Sequence, residues 1–131
     1  MKVGLDTSVV LRLLVGAPID QTERAVAFLN ELSRRGDEPV VSDMVAAEVY
    51  FALQHHYGIS KTNALSGMRR LFAGNEIKPL GKIAEVLAIK GIASAKPGFV
   101  DRLIHSAYLN ETSGMATFEK SARKLNSVRV L

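Results

Sequence analysis

The hydrophobic positions follow two alternating periods along the chain, which predicts short strands separated by helices. Val3 and Leu5 lie on one face of a short strand over residues 2–6, and residues 39–41 and 115–118 form similar short apolar runs. Weaker strands are predicted at 76–80 and 128–130. Thr7 and Ser8 can cap a first helix, which apolar residues at helical spacing extend to about residue 14. The same spacing predicts helices over residues 20–35, 43–57, 60–73, 82–95, 99–110 and 119–125.

Short polar residues and glycines mark where several of these helices begin and end. Asp20, with Glu23 three residues later, resembles a capping box for the second helix, and Gly36 is predicted to end it. Ser42 and Ser60 are predicted to cap the helices that follow them.

Strands that alternate with helices in this order predict an α/β fold. We expect three layers, with a central, mostly parallel sheet of short strands flanked by helices. Parallel sheets of this kind bind ligands outside the carboxyl ends of their strands. Candidate chemistry is therefore expected at those ends.

Length and composition narrow the class of protein. The 131 residues fit a single domain over 1–131, and 47% hydrophobic with 23% charged residues is typical of a soluble globular chain. The formal charge of +4 suits a polyanionic partner without requiring one. Without Cys, the chain has no disulfides, zinc thiolate sites or cysteine nucleophiles. No apolar run approaches the ~18 residues of a membrane span, so we expect no membrane partner and a cytoplasmic location.

Four acidic residues stand out by their positions. Asp6 closes the first predicted strand, and Glu119 follows the strand 115–118. Asp101 lies in the first turn of the helix over 99–110. Glu48 falls inside the predicted apolar stripe of its helix, which consists of Met44, Val45, Val49, Ala52 and Leu53. A carboxylate on a buried face is costly unless it is paired or bound to a metal.

Each of these acids also has a structural interpretation. Asp6 suits an N-cap, Asp101 suits the dipole at a helix start, Glu48 suits an ion pair, and Glu119 suits a solvated helix. Together, however, the four would meet at one sheet edge, where their mutual repulsion favours a hard cation such as Mg²⁺ or Mn²⁺. Such an ion activates water for phosphodiester hydrolysis. Ser8 would orient that water or bind phosphate, or simply cap the helix.

Three segments resemble the sequence blocks of a known family. They are VGLDTSVVLRLL (3–14), VVSDMVAAEVYFAL (40–53) and GFVDRLIHSAYLNETSGMATFEKSARKL (98–125). In this order and spacing they resemble PIN-domain ribonucleases, in particular the VapC-type toxins of bacterial and archaeal toxin–antitoxin modules. The resemblance covers nearly the whole chain and implies a PIN-like sandwich with metal-dependent endoribonuclease activity.

The resemblance also implies roles for particular residues. Asp6, Glu48 and Asp101 would be catalytic ligands of Mg²⁺ or Mn²⁺, with Glu119 as a fourth. The family usually has Asp at the position of Glu119, often with another Asp two residues later where this chain has Ser121. This departure affects the expectation of a second metal but leaves the fold unchanged.

Smaller polar residues and protein partners are implied in the same way. Thr7 and Ser8 would fill the small polar position after the first acid, and Thr117 the one before the last acid, where they position water or phosphate. A toxin of this type would be held inactive by a cognate antitoxin protein and would form a homodimer. Its substrate would be RNA.

Basic residues near the C-terminus are candidates for RNA binding. Residues 120–131 contain no acid, and the candidate cations are Arg102, Lys120, Arg123, Lys124 and Arg129. Cationic contacts to phosphates dominate RNA affinity, although a solvated surface explains the same residues. His55 and His56 end a helix, where we expect them to be structural or to face solvent, with stacking on a base as a minor alternative.

Aromatic residues are few, and most fall on apolar helical faces. We expect four of them to be core residues: Phe28, Phe51, Phe72 and Phe99. A broad base-stacking platform is therefore not predicted.

Other functions remain open on the sequence alone. The main alternative is a catalytically weakened PIN-like module that binds RNA or a partner, for which Glu119 and Ser121 are the only support. A phosphoacceptor receiver-like domain would need paired acids after the first strand, where Thr7 and Ser8 stand. A dinucleotide-binding domain would need a G-x-G-x-x-G motif there, which is absent.

Overall fold

The computed structural model describes residues 1–131, and its strands and helices follow the predicted order. The strands are β1 (Lys2–Gly4), β2 (Glu38–Val41), β3 (Lys78–Pro79), β4 (Met115–Thr117) and β5 (Val128–Val130). The α-helices are α1 (Thr7–Val15), α2 (Ile19–Arg35), α3 (Asp43–His55), α4 (Lys61–Ala73), α5 (Ile83–Leu87) and α6 (Phe99–Glu111). Short 3-10 helices span Ile92–Ser94 and Lys120–Lys124. The predicted α/β class is confirmed.

Met1–Leu80 forms the first of two compact units. Its parallel sheet has the order β1-β2-β3, so β2 is central and the short β3 is an edge strand, as its Pro79 predicts. Val3 pairs with Pro39, and Val40 pairs with Lys78. The largest fully buried side chains of this unit are Val10, Leu32, Val41, Val49, Leu65 and Met68.

Gly81–Leu131 forms the second unit. Its parallel strands β4 and β5 pair with each other in a separate two-stranded sheet, whereas a single central sheet was expected. Buried His105 donates from Nε2 to the carbonyl of Asn126 (2.7 Å) and so ties α6 to the segment before β5. Gly114 allows a close approach, because a Cβ there would collide with the Ser127 carbonyl. A single domain over 1–131 stays a prediction.

Helix starts agree with the predicted caps where the cap is local. Ser42 accepts a hydrogen bond from the Val45 N–H, and Ser60 caps α4 in the same way. The prediction of a capping box at the start of α2 is wrong. This helix begins at Ile19 after Pro18, without a side-chain cap, and Asp20 instead lies in the first turn, 3.8 Å from Arg24.

The long helix predicted over 82–95 is also wrong. The α-helix α5 ends at Leu87, and a 3-10 turn follows at Ile92–Ser94. Gly91 separates the two with a φ of 74°, a left-handed conformation that a regular α-helix cannot contain.

The buried face of α3 differs from its predicted stripe, and α6 leaves several of its apolar residues exposed. The buried residues of α3 are Ala46, Val49, Tyr50 and Leu53, whereas Met44 is 76% exposed and Phe51 is 46% exposed. On α6, Phe99, Leu103 and His105 are buried, and Ile104 and Tyr108 are exposed. The core assignment of Phe99 is confirmed and that of Phe51 is wrong. None of the helices is long and apolar enough to cross a bilayer.

Candidate active site

Asp6 lies where β1 leads into α1. The preceding residue, Leu5, is buried and its N–H donates to the Val40 carbonyl (2.9 Å), which fixes the chain beside the central strand. Asp6 has extended backbone angles and accepts a hydrogen bond from the Thr7 N–H (2.8 Å). Asp6 is therefore the N-cap of α1, and Thr7 and Ser8 are its first two helical residues. The structural interpretation is confirmed, and the role as a ligand stays a prediction.

Glu48 is exposed on α3, so its predicted place in a buried stripe is wrong. One side of α3 packs within the unit, and Glu48 projects from the other side. Its Oε1 accepts a hydrogen bond from the Thr7 hydroxyl (3.0 Å). The carboxylate is thus directed toward the start of α1 by a hydrogen bond rather than by burial.

Thr7 links Asp6 and Glu48, the two candidate acids of the first unit. Its N–H donates to Asp6 and its hydroxyl donates to Glu48, so the two carboxylates share one small residue as a hydrogen-bond partner. Neither carboxylate forms an ion pair with Lys or Arg. Mg²⁺ commonly binds through one or two carboxylates, waters and substrate phosphates. The chemistry of this donor pair fits a hard divalent ion.

Ser8 lines a different cleft from Thr7. Its side chain is exposed and makes no hydrogen bond. It lines a cleft of about 360 Å³ between α1 and α2, together with Arg12, Gln21 and Phe28. Within the first unit, Thr7 rather than Ser8 contacts the acids, whereas the two residues were expected to act together.

Asp101 occupies the first turn of α6, as predicted. Its side chain is exposed and has neither a hydrogen bond nor an ion pair, so the helix dipole is its only local stabilisation. The neighbouring Arg102 donates from Nε to the Pro97 carbonyl (2.7 Å) and is half-buried. Arg102 thereby holds the turn that precedes α6, a contact that the sequence did not reveal.

Glu119 is held by its own segment. Its Oε1 accepts hydrogen bonds from the Ser121 N–H (3.0 Å) and from the Ser121 hydroxyl (2.8 Å). These bonds, with a smaller contribution from the positive charge of Lys96, hold the pKa of Glu119 below its ordinary value of 4.5. Thr117 accepts a hydrogen bond from the Glu119 N–H (3.0 Å) and completes the turn. Glu119 is therefore the N-cap of the 3-10 helix Lys120–Lys124.

The basic residues of that 3-10 helix are exposed. Lys120, Arg123 and Lys124 have no ion pair or hydrogen bond through their side chains, and Arg129 on β5 is likewise exposed. Free cations on a short surface helix suit contact with phosphates, and they suit solvation equally well.

The predicted acids are divided between the two units. Asp6 and Glu48 belong to Met1–Leu80, and Asp101 and Glu119 belong to Gly81–Leu131. Within neither unit do three or more His, Asp or Glu side chains gather around a possible metal position. Hydrogen bonds connect Asp6 and Glu48 through Thr7, and none connects Asp101 to Glu119.

Two ring side chains lie beside Glu48: Phe51 was expected in the core, and His55 was expected to be structural or to face solvent, with base stacking only as a minor alternative. Phe51 and His55 lie on the exposed side of α3, with ring centroids 6.1 Å apart and planes inclined by 24°. The sequence did carry a signal for them, because positions three and seven residues after Glu48 fall on the same helical face.

Comparison with known proteins identifies one family. The PIN domain family model matches residues 3–126. Searches of curated proteins and of solved structures find no match. Because the match spans most of the chain, it covers both units and all four acids.

Proposed function

Since the chain belongs to the PIN domain family, we propose that it is a divalent-metal-dependent endoribonuclease and the toxin of a type II toxin–antitoxin pair. PIN domains are generally nucleases that use divalent metal ions. The observation that carries the proposal is the pair of exposed carboxylates beside the start of α1, Asp6 and Glu48, which Thr7 joins and no Lys or Arg pairs with.

The residues around this pair have distinct tasks in the proposed reaction. We propose Asp6 and Glu48 as ligands of Mg²⁺ or Mn²⁺, and we propose Asp101 and Glu119 of the second unit as further ligands. A divalent ion supplies acidification of a bound water and stabilisation of charge on a phosphoryl oxygen. Thr7 orients both carboxylates of the first unit, because its two donors are directed at them.

Recognition of RNA would use cations on the second unit. Lys120, Arg123 and Lys124 are exposed and unpaired, so they are available to phosphates without first breaking an ion pair. Arg102 would reach RNA only with guanidinium nitrogens other than Nε, since Nε donates to Pro97. Ser8 and Thr117 remain proposed positioning residues for water or phosphate.

The proposed protein partners are an antitoxin and a second copy of the chain. The antitoxin proposal draws support from exposed apolar residues on α2, where Ile19 is 71% exposed and Val26 is 45% exposed. Co-purification of the chain with the product of a neighbouring gene would test it. A mass measurement of the free protein in solution would test the homodimer.

Cleavage of a mixed cellular RNA pool tests the enzymatic proposal. We expect purified protein to cut RNA in Mg²⁺ or Mn²⁺ and not in EDTA. Asp6→Asn and Asp101→Asn should each reduce cleavage by more than about 100-fold, because loss of groups that merely support metal ligands already costs ~10–100-fold. Asp20→Asn is the matched control, since Asp20 is an exposed acid of α2 outside the site.

Two results would contradict the proposal. Undiminished cleavage by both Asn variants would remove these acids from the mechanism. A folded, antitoxin-free protein that cuts no RNA and shows no Asp6-dependent metal binding in a titration would be a binding module instead.

A further inference from the structure

A cleft of about 470 Å³ opens beside Glu48 on the exposed side of α3. Its walls include Leu11 and Thr7 of α1 and the rings of Phe51 and His55 of α3. No Lys or Arg lines it, and Glu48 is its only charged carboxylate. A cleft of this volume suits a small planar group, and its lack of a fixed cation disfavours phosphate or an acidic peptide as the occupant.

The two side chains are exposed and their rings are nearly parallel. Phe51 is 46% exposed and His55 is exposed, and their planes are inclined by only 24°. Tyr50 braces Phe51 from the neighbouring position, with ring centroids 5.5 Å apart. Exposed single aromatics are common, but two nearly parallel rings at the wall of one cleft offer ring area that a planar group can cover.

We propose that the cleft formed by Phe51 and His55 is a nucleobase subsite, which holds a base of single-stranded RNA next to the phosphate that is cut. This inference rests on the proposed ribonuclease function. Every base has a π-face, and aromatic side chains bind bases of single strands by stacking on that face. The imidazole nitrogens of His55 add polar groups for base edges.

The distance along α3 fits a base close to the cleavage point. His55 lies seven residues after Glu48, which corresponds to a rise of about 10 Å along the helix axis. With about 3.4 Å between successive stacked nucleotides, the subsite is within one to three nucleotides of Glu48. The subsite would therefore read a flanking base rather than a remote one.

Binding of two equally charged oligomers tests the subsite. One is decaadenylate and the other is a decamer of abasic ribose phosphates, each measured by fluorescence anisotropy in EDTA so that nothing is cleaved. We expect the protein to bind decaadenylate about tenfold more tightly, the factor that one stacked base provides. Both oligomers carry the same number of phosphates, so the phosphate contribution to the two affinities is equal and does not affect their ratio.

Substitutions at Phe51 separate stacking from simple apolar contact. Phe51→Tyr should keep the preference for decaadenylate, whereas Phe51→Leu, which retains apolar volume without a π-face, should lose most of it. His55→Ala is the second variant if Phe51→Leu does not fold. Tyr108→Ala is the matched control, because Tyr108 is a half-exposed ring on α6 outside the cleft.

The outcomes distinguish this inference from the function on which it rests. Equal binding of the two oligomers, or a preference that survives in Phe51→Leu, overturns the subsite even if RNA is cut in Mg²⁺. The subsite is also overturned if the wild type shows no preference for decaadenylate and Phe51→Leu changes the molecular mass of the protein in solution. That result would make the exposed side of α3 a contact with a second copy of the chain. A ring-dependent preference in a protein that cuts no RNA upholds base binding in the cleft and overturns its place beside a cleaved phosphate, together with the nuclease.

Discussion

Asp6 combines a structural role with a proposed catalytic one, and two substitutions separate them. Its carboxylate accepts a hydrogen bond from the Thr7 N–H at 2.8 Å and caps α1. The amide oxygen of Asn accepts the same bond, so Asp6→Asn should keep the free energy of unfolding within a few tenths of a kcal/mol. Asp6→Ala removes the acceptor and should cost about 1 kcal/mol. Both variants lose the carboxylate and should lose RNA cleavage.

The cap energy should be visible in the stability of the protein because α1 is anchored in the core. Val10, in the first turns of α1, is only 1% exposed, so loosening of the helix start disturbs buried packing. A loss of about 1 kcal/mol lowers the melting temperature by roughly 3–5 °C for a chain of this size. Urea unfolding followed by circular dichroism measures the free energies, and cleavage of the RNA pool measures activity on the same preparations.

The pattern across the two variants decides between the roles. A stable Asp6→Asn without activity, beside a less stable Asp6→Ala without activity, is the expected result. If Asp6→Ala is as stable as Asp6→Asn, the cap contributes nothing and the reasoning from the 2.8 Å bond is refuted. If Asp6→Asn cleaves RNA like the wild type, the carboxylate is not needed for catalysis.

Three further predictions concern substitutions at Thr7, Ser121 and Met68. Thr7→Val removes the hydroxyl that holds Glu48 at 3.0 Å and should lower kcat/KM for RNA cleavage by ~10–100-fold with little loss of stability. Ser121→Ala removes one of two hydrogen bonds to Glu119 and should raise the pKa of Glu119 toward 4.5, as measured by NMR titration. Because that pKa is lowered in the folded state, the stabilisation is present above pH 4.5 and is lost as the pH falls through the folded pKa; an unchanged titration in the variant would contradict this. Met68→Ala opens a cavity at a side chain that is 1% exposed and should cost about 2–5 kcal/mol in urea unfolding, and a cost below 1 kcal/mol would contradict the assigned core.

The order of strands and helices was predictable because the signals are local. Ser42 and Ser60 lie directly before helices that begin where the apolar period begins, and each makes the expected capping bond. Asp20 has the same local signal, but the capping bond that it predicts is not formed. Pro18 occupies the N-cap position and α2 begins at Ile19, so Asp20 lies inside the first turn and not before it.

The orientation of α3 was not predictable from periodicity. Between Met44 and Leu53 every residue except Glu48 is apolar or aromatic, so several helical faces qualify as the buried one. Packing against α1 and α4 selects the face that contains Val49, and this leaves Glu48 and Phe51 outside. The buried face of α3 is selected by contacts with helices that are distant in sequence, so the local sequence of α3 does not determine it.

A structural role and a ligand role are compatible for an exposed carboxylate. An ionised carboxylate has about four lone-pair sites, and Asp6 and Glu48 each use one for Thr7, so most of their capacity remains for a cation. Glu119 differs, because two hydrogen bonds from Ser121 already stabilise its charged form. A group whose anion is satisfied by its own turn gains less from a metal than one whose anion is nearly bare. We therefore expect Asp6 and Glu48 to contribute more to metal affinity than Glu119, whose main role is to begin the helix that carries Lys120, Arg123 and Lys124.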